Sequence, residues 1–149
     1  MSLRAFFGLL GFLLGLFPLY GLSPEHIKAI RSRTAFIQTF DQVGEPIGTG
    51  SGFLISSKGE IATNYHVVQN AQTATVKFLL MKEVFQVKSI VQKSPENDLA
   101  ILRINWNWTK VSPLILQNKS SKPRVGEKIY AFGSPRGFEG SVSDGIVSA

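Results

Sequence analysis

Hydrophobic and polar positions run in three rhythms along this chain. Ala5 to Tyr20 is an unbroken apolar run behind one positive side chain, Arg4, and the next charge is Glu25. That shape predicts a secretory signal or an uncleaved membrane anchor, and either exports the domain behind it. A large residue, Leu19, precedes the cleavage point that would fall after Gly21 and keeps the anchor open. Ser23-Pro24-Glu25 then combines an N-cap, a proline at the first helical position and an acid in the first turn, which predicts a short helix to about Arg33. From Thr34 the apolar spacing falls to about two. Strands are expected at Ala35–Phe40, from Gly48 to Ile55, from the Lys58-Gly59 turn to His66, and at Thr73–Leu79, Val84–Lys93 and Leu99–Ile104. Six short strands without intervening helices predict an all-β fold, an antiparallel barrel or sandwich. Asn105 to Pro113, with Trp106 and Trp108, reads as a connection covering a barrel end, and Lys119 to Pro123 as a polar linker. Ile129–Phe132 and the segment from Ser141 to Ala149 begin a second unit that two strands do not complete.

The glycines at 48, 50 and 52 alternate along one strand with no helix after them, so a dinucleotide cradle is excluded. They are expected to admit a close backbone or a barrel-corner bend. The chain carries 16 Lys and Arg against 10 Asp and Glu, a net charge of +6. These charges are scattered without a basic run, so a solvated surface is read and no nucleic-acid partner. Cysteine is absent, which removes disulfides, thiolate nucleophiles and Cys-based zinc sites. With only two histidines, His26 and His66, no metal site and no cofactor is expected.

His26 falls in the predicted helix and reads as a surface residue. His66 ends the hairpin that starts at Gly48, while Ser94-Pro95-Glu96-Asn97 is a turn that sets Asp98 at the mouth of the last strand. An imidazole can accept and return a proton near neutrality, and a carboxylate on its other nitrogen fixes the tautomer. Such a pair needs a hydroxyl and oxyanion donors to become a hydrolase. Ser51 lies inside a strand with no elbow to expose it, and is rejected as a nucleophile.

Five blocks carry a resemblance: Gly50 to Ile55, Thr63 to Val68, Asn97 to Leu102, Val125 to Glu127 and Gly145 to Ala149. In order and spacing they resemble the trypsin-like serine endopeptidases of the bacterial HtrA (Deg) type, over roughly Ile30 to Ala149. The resemblance implies a trypsin-like antiparallel β-barrel, the first barrel complete and the second only begun. It implies His66 as general base and Asp98 as its orienting acid. The nucleophile of that family sits in a Gly-x-Ser-Gly-Gly block, which these 149 residues do not contain. Ser134 matches an early turn of the second barrel, and Ser141, Ser143 and Ser148 lack flanking glycines.

The expected divisions are 1–21 signal or anchor, 22–33 short helix, 34–115 first barrel, 116–127 linker and 128–149 the opening strands of the second barrel. The implied function is quality-control proteolysis in the cell envelope, periplasmic or otherwise extracytoplasmic. Its implied partners are unfolded or peptide substrates and a trimer of like chains, with membrane anchoring through residues 5–20 if that segment is retained. The chain alone is expected to be inactive, because it is truncated before the nucleophile. Two rival expectations are a non-catalytic exported β-barrel that binds peptides or a partner chain, and a membrane-bound scaffold that retains Met1 to Gly21.

Overall fold

The computed structural model describes residues 21–107, 111–116, 122–134 and 140–148. The apolar run of residues 5–20 and Trp108 lie outside the described residues, as do residues 117–121 of the expected linker. Among the described residues no helix is long and apolar enough to cross a membrane.

Helix α1, Pro24–Arg31, starts where the sequence signals put it, with the Ser23 side chain accepting from the His26 backbone N–H, and ends two residues before the expected Arg33. Six strands come next: β1 Thr34–Phe40, β2 Pro46–Ser56, β3 Glu60–Thr63, β4 Thr73–Phe78, β5 Val84–Ser94 and β6 Leu99–Ile104. They close into an antiparallel barrel in the order β1-β2-β3-β6-β5-β4, which decides between barrel and sandwich. Closure depends on β1 pairing with β4, Ala35 opposite Phe78 through Phe40 opposite Thr73.

Period-2 burial explains the interior. Ala74, Val76 and Phe78 of β4 and Ala100, Leu102 and Ile104 of β6 all point inward, meeting Ile37, Leu54 and Ile61 from the other strands. The buried threonines are satisfied: Thr34 donates to the Ile30 carbonyl, Thr39 to Gly48 and Thr63 to Ser51. Trp106 covers the interior as expected, its ring 5.0 Å from Phe78 and 5.5 Å from Phe85.

The backbone approach expected at the alternating glycines is found at Gly52, where a Cβ would stand 3.1 Å from the Ala62 carbonyl oxygen. What approaches them is mostly side chain. A Cβ on Gly52 would stand 2.7 Å from Ile61 and 2.9 Å from Ile37, and one on Gly50 would stand 2.5 Å from Val67. The strand is bare on that face so that neighbouring side chains can lie directly on its backbone.

Strands β7 Lys128–Gly133 and β8 Ser141–Ile146 form a separate two-stranded antiparallel sheet. Lys128 and Asp144 pair at 3.0 Å across it, which holds the Asp144 carboxyl low and the Lys128 amine high. The Ser134 backbone N–H at the end of β7 donates to Ser51 Oγ on β2 at 2.8 Å, tying hairpin to barrel. Between them lies an apolar groove of about 600 Å³, walled by Phe53, Ile55 and Ala62 on one side and Ile129 and Phe132 on the other.

Candidate active site

The barrel brings residues 66 and 98 together because β3 and β6 are antiparallel neighbours. Thr63, the last residue of β3, pairs with Ala100, the second residue of β6. The chain leaving β3 and the chain entering β6 therefore meet at one barrel end.

His66 does not end a strand, as the sequence suggested. β3 stops at Thr63, and a one-turn helix, α2 Tyr65–Val68, carries His66 in its second position. Two anchors make so short a helix possible. The first is apolar: Val68 is buried in the core, and Val67 packs on bare Gly50. The second anchor is Asp98. After β5 a 3-10 turn, Pro95–Asn97, ends on Asp98 in the left-handed region, φ 50° and ψ 47°. Asp is among the few residues besides Gly that tolerate this region. From there Oδ1 accepts the His66 backbone N–H at 2.8 Å, and Oδ2 lies 2.7 Å from His66 Nδ1. One carboxylate thus caps the helix that bears the imidazole and also holds the imidazole itself.

The structure brings both residues expected at the site into direct contact. The backbone N–H of His66 is the largest cause holding the Asp98 carboxyl below its ordinary value. The imidazole hydrogen bond comes next, and partial desolvation opposes both. A carboxylate at Oδ2 requires Nδ1 to carry the proton, which leaves Nε2 with its lone pair as a base. The imidazole side chain is 65% exposed and Asp98 43%, so Nε2 is open to a reacting group.

Ser51 lies within β2, where its oxygen accepts the Ser134 N–H, and Ser134 is buried at the hairpin junction. Among the described residues no hydroxyl hydrogen-bonds the His66 ring. His26 lies on α1, beside Ser23. Asn64 was missed by the sequence reading, although it stands directly between strand and helix. Its amide donates to Asp98 Oδ2 at 3.1 Å and to the Asp98 carbonyl at 3.2 Å.

Residues 50–149 match the trypsin-like peptidase domain. The chain belongs to that family. Among curated relatives of this trypsin-like chain, Protease Do-like 5, chloroplastic, of Arabidopsis thaliana is 35% identical over 135 residues, covering 83% of this chain and 41% of that protein. The probable periplasmic serine endoprotease DegP-like of Pseudomonas putida (strain GB-1) is 41% identical over 109 residues, covering 73% of this chain and 22% of that protein. The chain therefore spans less than half the length of these relatives. The HtrA-type resemblance read from the five sequence blocks agrees with them.

Because Asp98 is held low in the fold, the sign of its pH response is fixed. The contact with His66 is present above the ordinary carboxyl value of 3.8 and is lost as pH falls through the lower folded value. A carboxyl-carbon NMR titration of Asp98 is expected to show a midpoint below 3.8, with the His66 amide losing exchange protection at the same midpoint. A midpoint at or above 3.8 would contradict the double hydrogen bond.

Proposed function

We propose that this chain forms the histidine- and aspartate-bearing part of an exported serine endopeptidase of the HtrA type. The single observation that carries the reading is the 2.7 Å contact between His66 Nδ1 and Asp98 Oδ2, reinforced by Oδ1 on the His66 backbone. His66 acts as general base. Nε2 takes the proton of a serine hydroxyl as that oxygen attacks the peptide carbonyl, and later gives it to the leaving amine. Asp98 keeps the imidazole in the required tautomer and stabilises the imidazolium that forms. The serine and the oxyanion donors come from sequence outside these 149 residues, since no Gly-x-Ser-Gly-Gly block occurs within them.

The organisation that fits this reading is residues 1–21 as export signal or anchor and 22–33 as a short helix. Residues 34–115 then make the first barrel, 116–127 the linker and 128–149 the opening of a second barrel. The names of the bacterial relatives support a periplasmic location. Substrates are unfolded or peptide segments of envelope proteins, and the working form is a trimer.

The test compares the 149-residue chain with the same chain continued through a Gly-x-Ser-Gly-Gly block. The continued protein is expected to hydrolyse casein and to take up a fluorophosphonate probe stoichiometrically, and the 149-residue chain to do neither. Stoichiometric labelling of the short chain would make one of its own serines nucleophilic. Failure of the folded, continued protein to label would remove the protease reading.

A further inference from the structure

Asn64 occupies the N-cap position of α2, with extended backbone (φ −73°, ψ 142°), yet its side chain makes no capping hydrogen bond to that helix. At such a position an asparagine ordinarily accepts from the first turn. Here Asp98 Oδ1 takes that role from 32 residues away, by accepting the His66 N–H. The amide of Asn64 is freed and donates to Asp98 twice, to Oδ2 and to the main-chain carbonyl. The Tyr65 backbone N–H, the next donor along the chain, reaches the same carbonyl at 3.1 Å. Two donors from consecutive residues thus hold the backbone of Asp98, whose left-handed conformation carries a cost for a residue with a Cβ.

Resting on the reading of His66 and Asp98 as base and orienter, we propose that Asn64 is a positioning residue for that pair. A carboxylate can rotate about its Cβ–Cγ bond, and rotation would give up either the His66 amide or the imidazole. Two donors already fix its plane: the His66 N–H on Oδ1 and the imidazole on Oδ2. Both belong to the same small helix, so they move with it. Asn64 adds a third donor that comes from outside the helical turn, on the side of β3, and locks the carboxylate to the barrel frame. Because the same NH₂ group also grips the carbonyl of residue 98, rotation of the carboxylate and relaxation of the left-handed backbone are coupled. The consequence for His66 is indirect: its Nδ1–H tautomer is favoured because Oδ2 is kept where only a proton donor fits.

The test uses the 149-residue chain and reads the ring tautomer of His66 by long-range ¹H–¹⁵N correlation with the imidazoles neutral. His26, the only other histidine, serves as the internal control. Asn64→Ala is expected to lower the ratio of Nδ1–H to Nε2–H forms at His66 by about threefold to tenfold, the reach of an ordinary hydrogen bond, because Asn64 acts on the ring only through Asp98, with His26 unchanged. Asn64→Ser, which keeps a capping residue but loses the amide donors, is expected to do the same and is read alone if the alanine variant does not fold. Asp98→Gly, which tolerates the left-handed backbone and removes both acceptors, runs beside them. If Asp98→Gly shifts the tautomer and neither Asn64 variant does, the positioning role of Asn64 is overturned while the His66–Asp98 reading stands. If Asp98→Gly leaves the tautomer unchanged, the reading of His66 and Asp98 fails and takes this one with it.

Discussion

If the proposed function holds, replacing His66 by alanine in the chain continued through a Gly-x-Ser-Gly-Gly block is expected to lower kcat by roughly 10⁴- to 10⁶-fold, with little change in KM. At 1.36 kcal/mol per decade this is about 5–8 kcal/mol of transition-state stabilisation. On the proposed reading the loss is large because one side chain would make both proton transfers. Asp98→Asn is expected to lose about 10⁴-fold through a different cause. Its carboxylate accepts on both oxygens, from the His66 N–H at 2.8 Å and the ring at 2.7 Å. An asparagine offers one acceptor and one NH₂, so it satisfies either the helix or the imidazole. If it keeps the helix cap, the NH₂ faces Nδ1 and forces the proton onto Nε2, where a base is needed. Casein hydrolysis and single-turnover acylation of both variants measure this. A His66→Ala enzyme retaining more than a hundredth of wild-type kcat would show that another group takes the serine proton.

The strands were legible in the sequence because alternation and burial coincide. Thr73 to Leu79 and Leu99 to Ile104 read as strands, and β4 and β6 there are buried at every second residue. The element that carries His66 was not legible. Val67 and Val68 give no helical signal, since β-branched residues favour strands over helices. What turns them into a helix is non-local: a bare Gly50 on which Val67 sits, and the Asp98 carboxylate on the His66 N–H. Asn64 was hidden for the same reason, because its partner is 34 positions away. Barrel closure could not be read from the strand patterns, since the β1–β4 pairing that distinguishes a barrel from a sandwich leaves no mark in either strand; it came from the family resemblance alone. The pairing of His66 with Asp98 was readable from the two residue types and from the blocks that resemble the HtrA-type endopeptidases, although the strand end expected for His66 is a turn of helix. Only the 2.7 Å contact needed the structure.

Phe78→Ala is expected to be the most damaging single change to the barrel itself, at about 3–5 kcal/mol. Phe78 is fully buried and stands on β4 opposite Ala35 of β1. Its ring meets Phe85 edge-on, 5.9 Å between centroids at 77°, and Trp106 at 5.0 Å. These three aromatics lie where the barrel is least supported by backbone. Strands β4 and β5 pair only from Thr75 opposite Gln86 to Lys77 opposite Val84, and β5 has no fully buried hydrophobic residue of its own. Side-chain packing at Phe85 and Trp106 therefore does at this seam what hydrogen-bonded ladders do elsewhere. Alanine removes the common partner of both rings, and Ala35 is too small to fill the space. The loss is a large fraction of the roughly 5–15 kcal/mol that holds a domain of this kind together. Urea and thermal unfolding followed by tryptophan fluorescence would measure it, with a midpoint fall of roughly 12–40 °C expected. Phe78→Leu, which keeps most of the volume, is expected to lose less than half as much. A loss below about 1.5 kcal/mol for alanine would mean that the β4–β5 seam is held by its backbone pairing and that the aromatic cluster is incidental to closure.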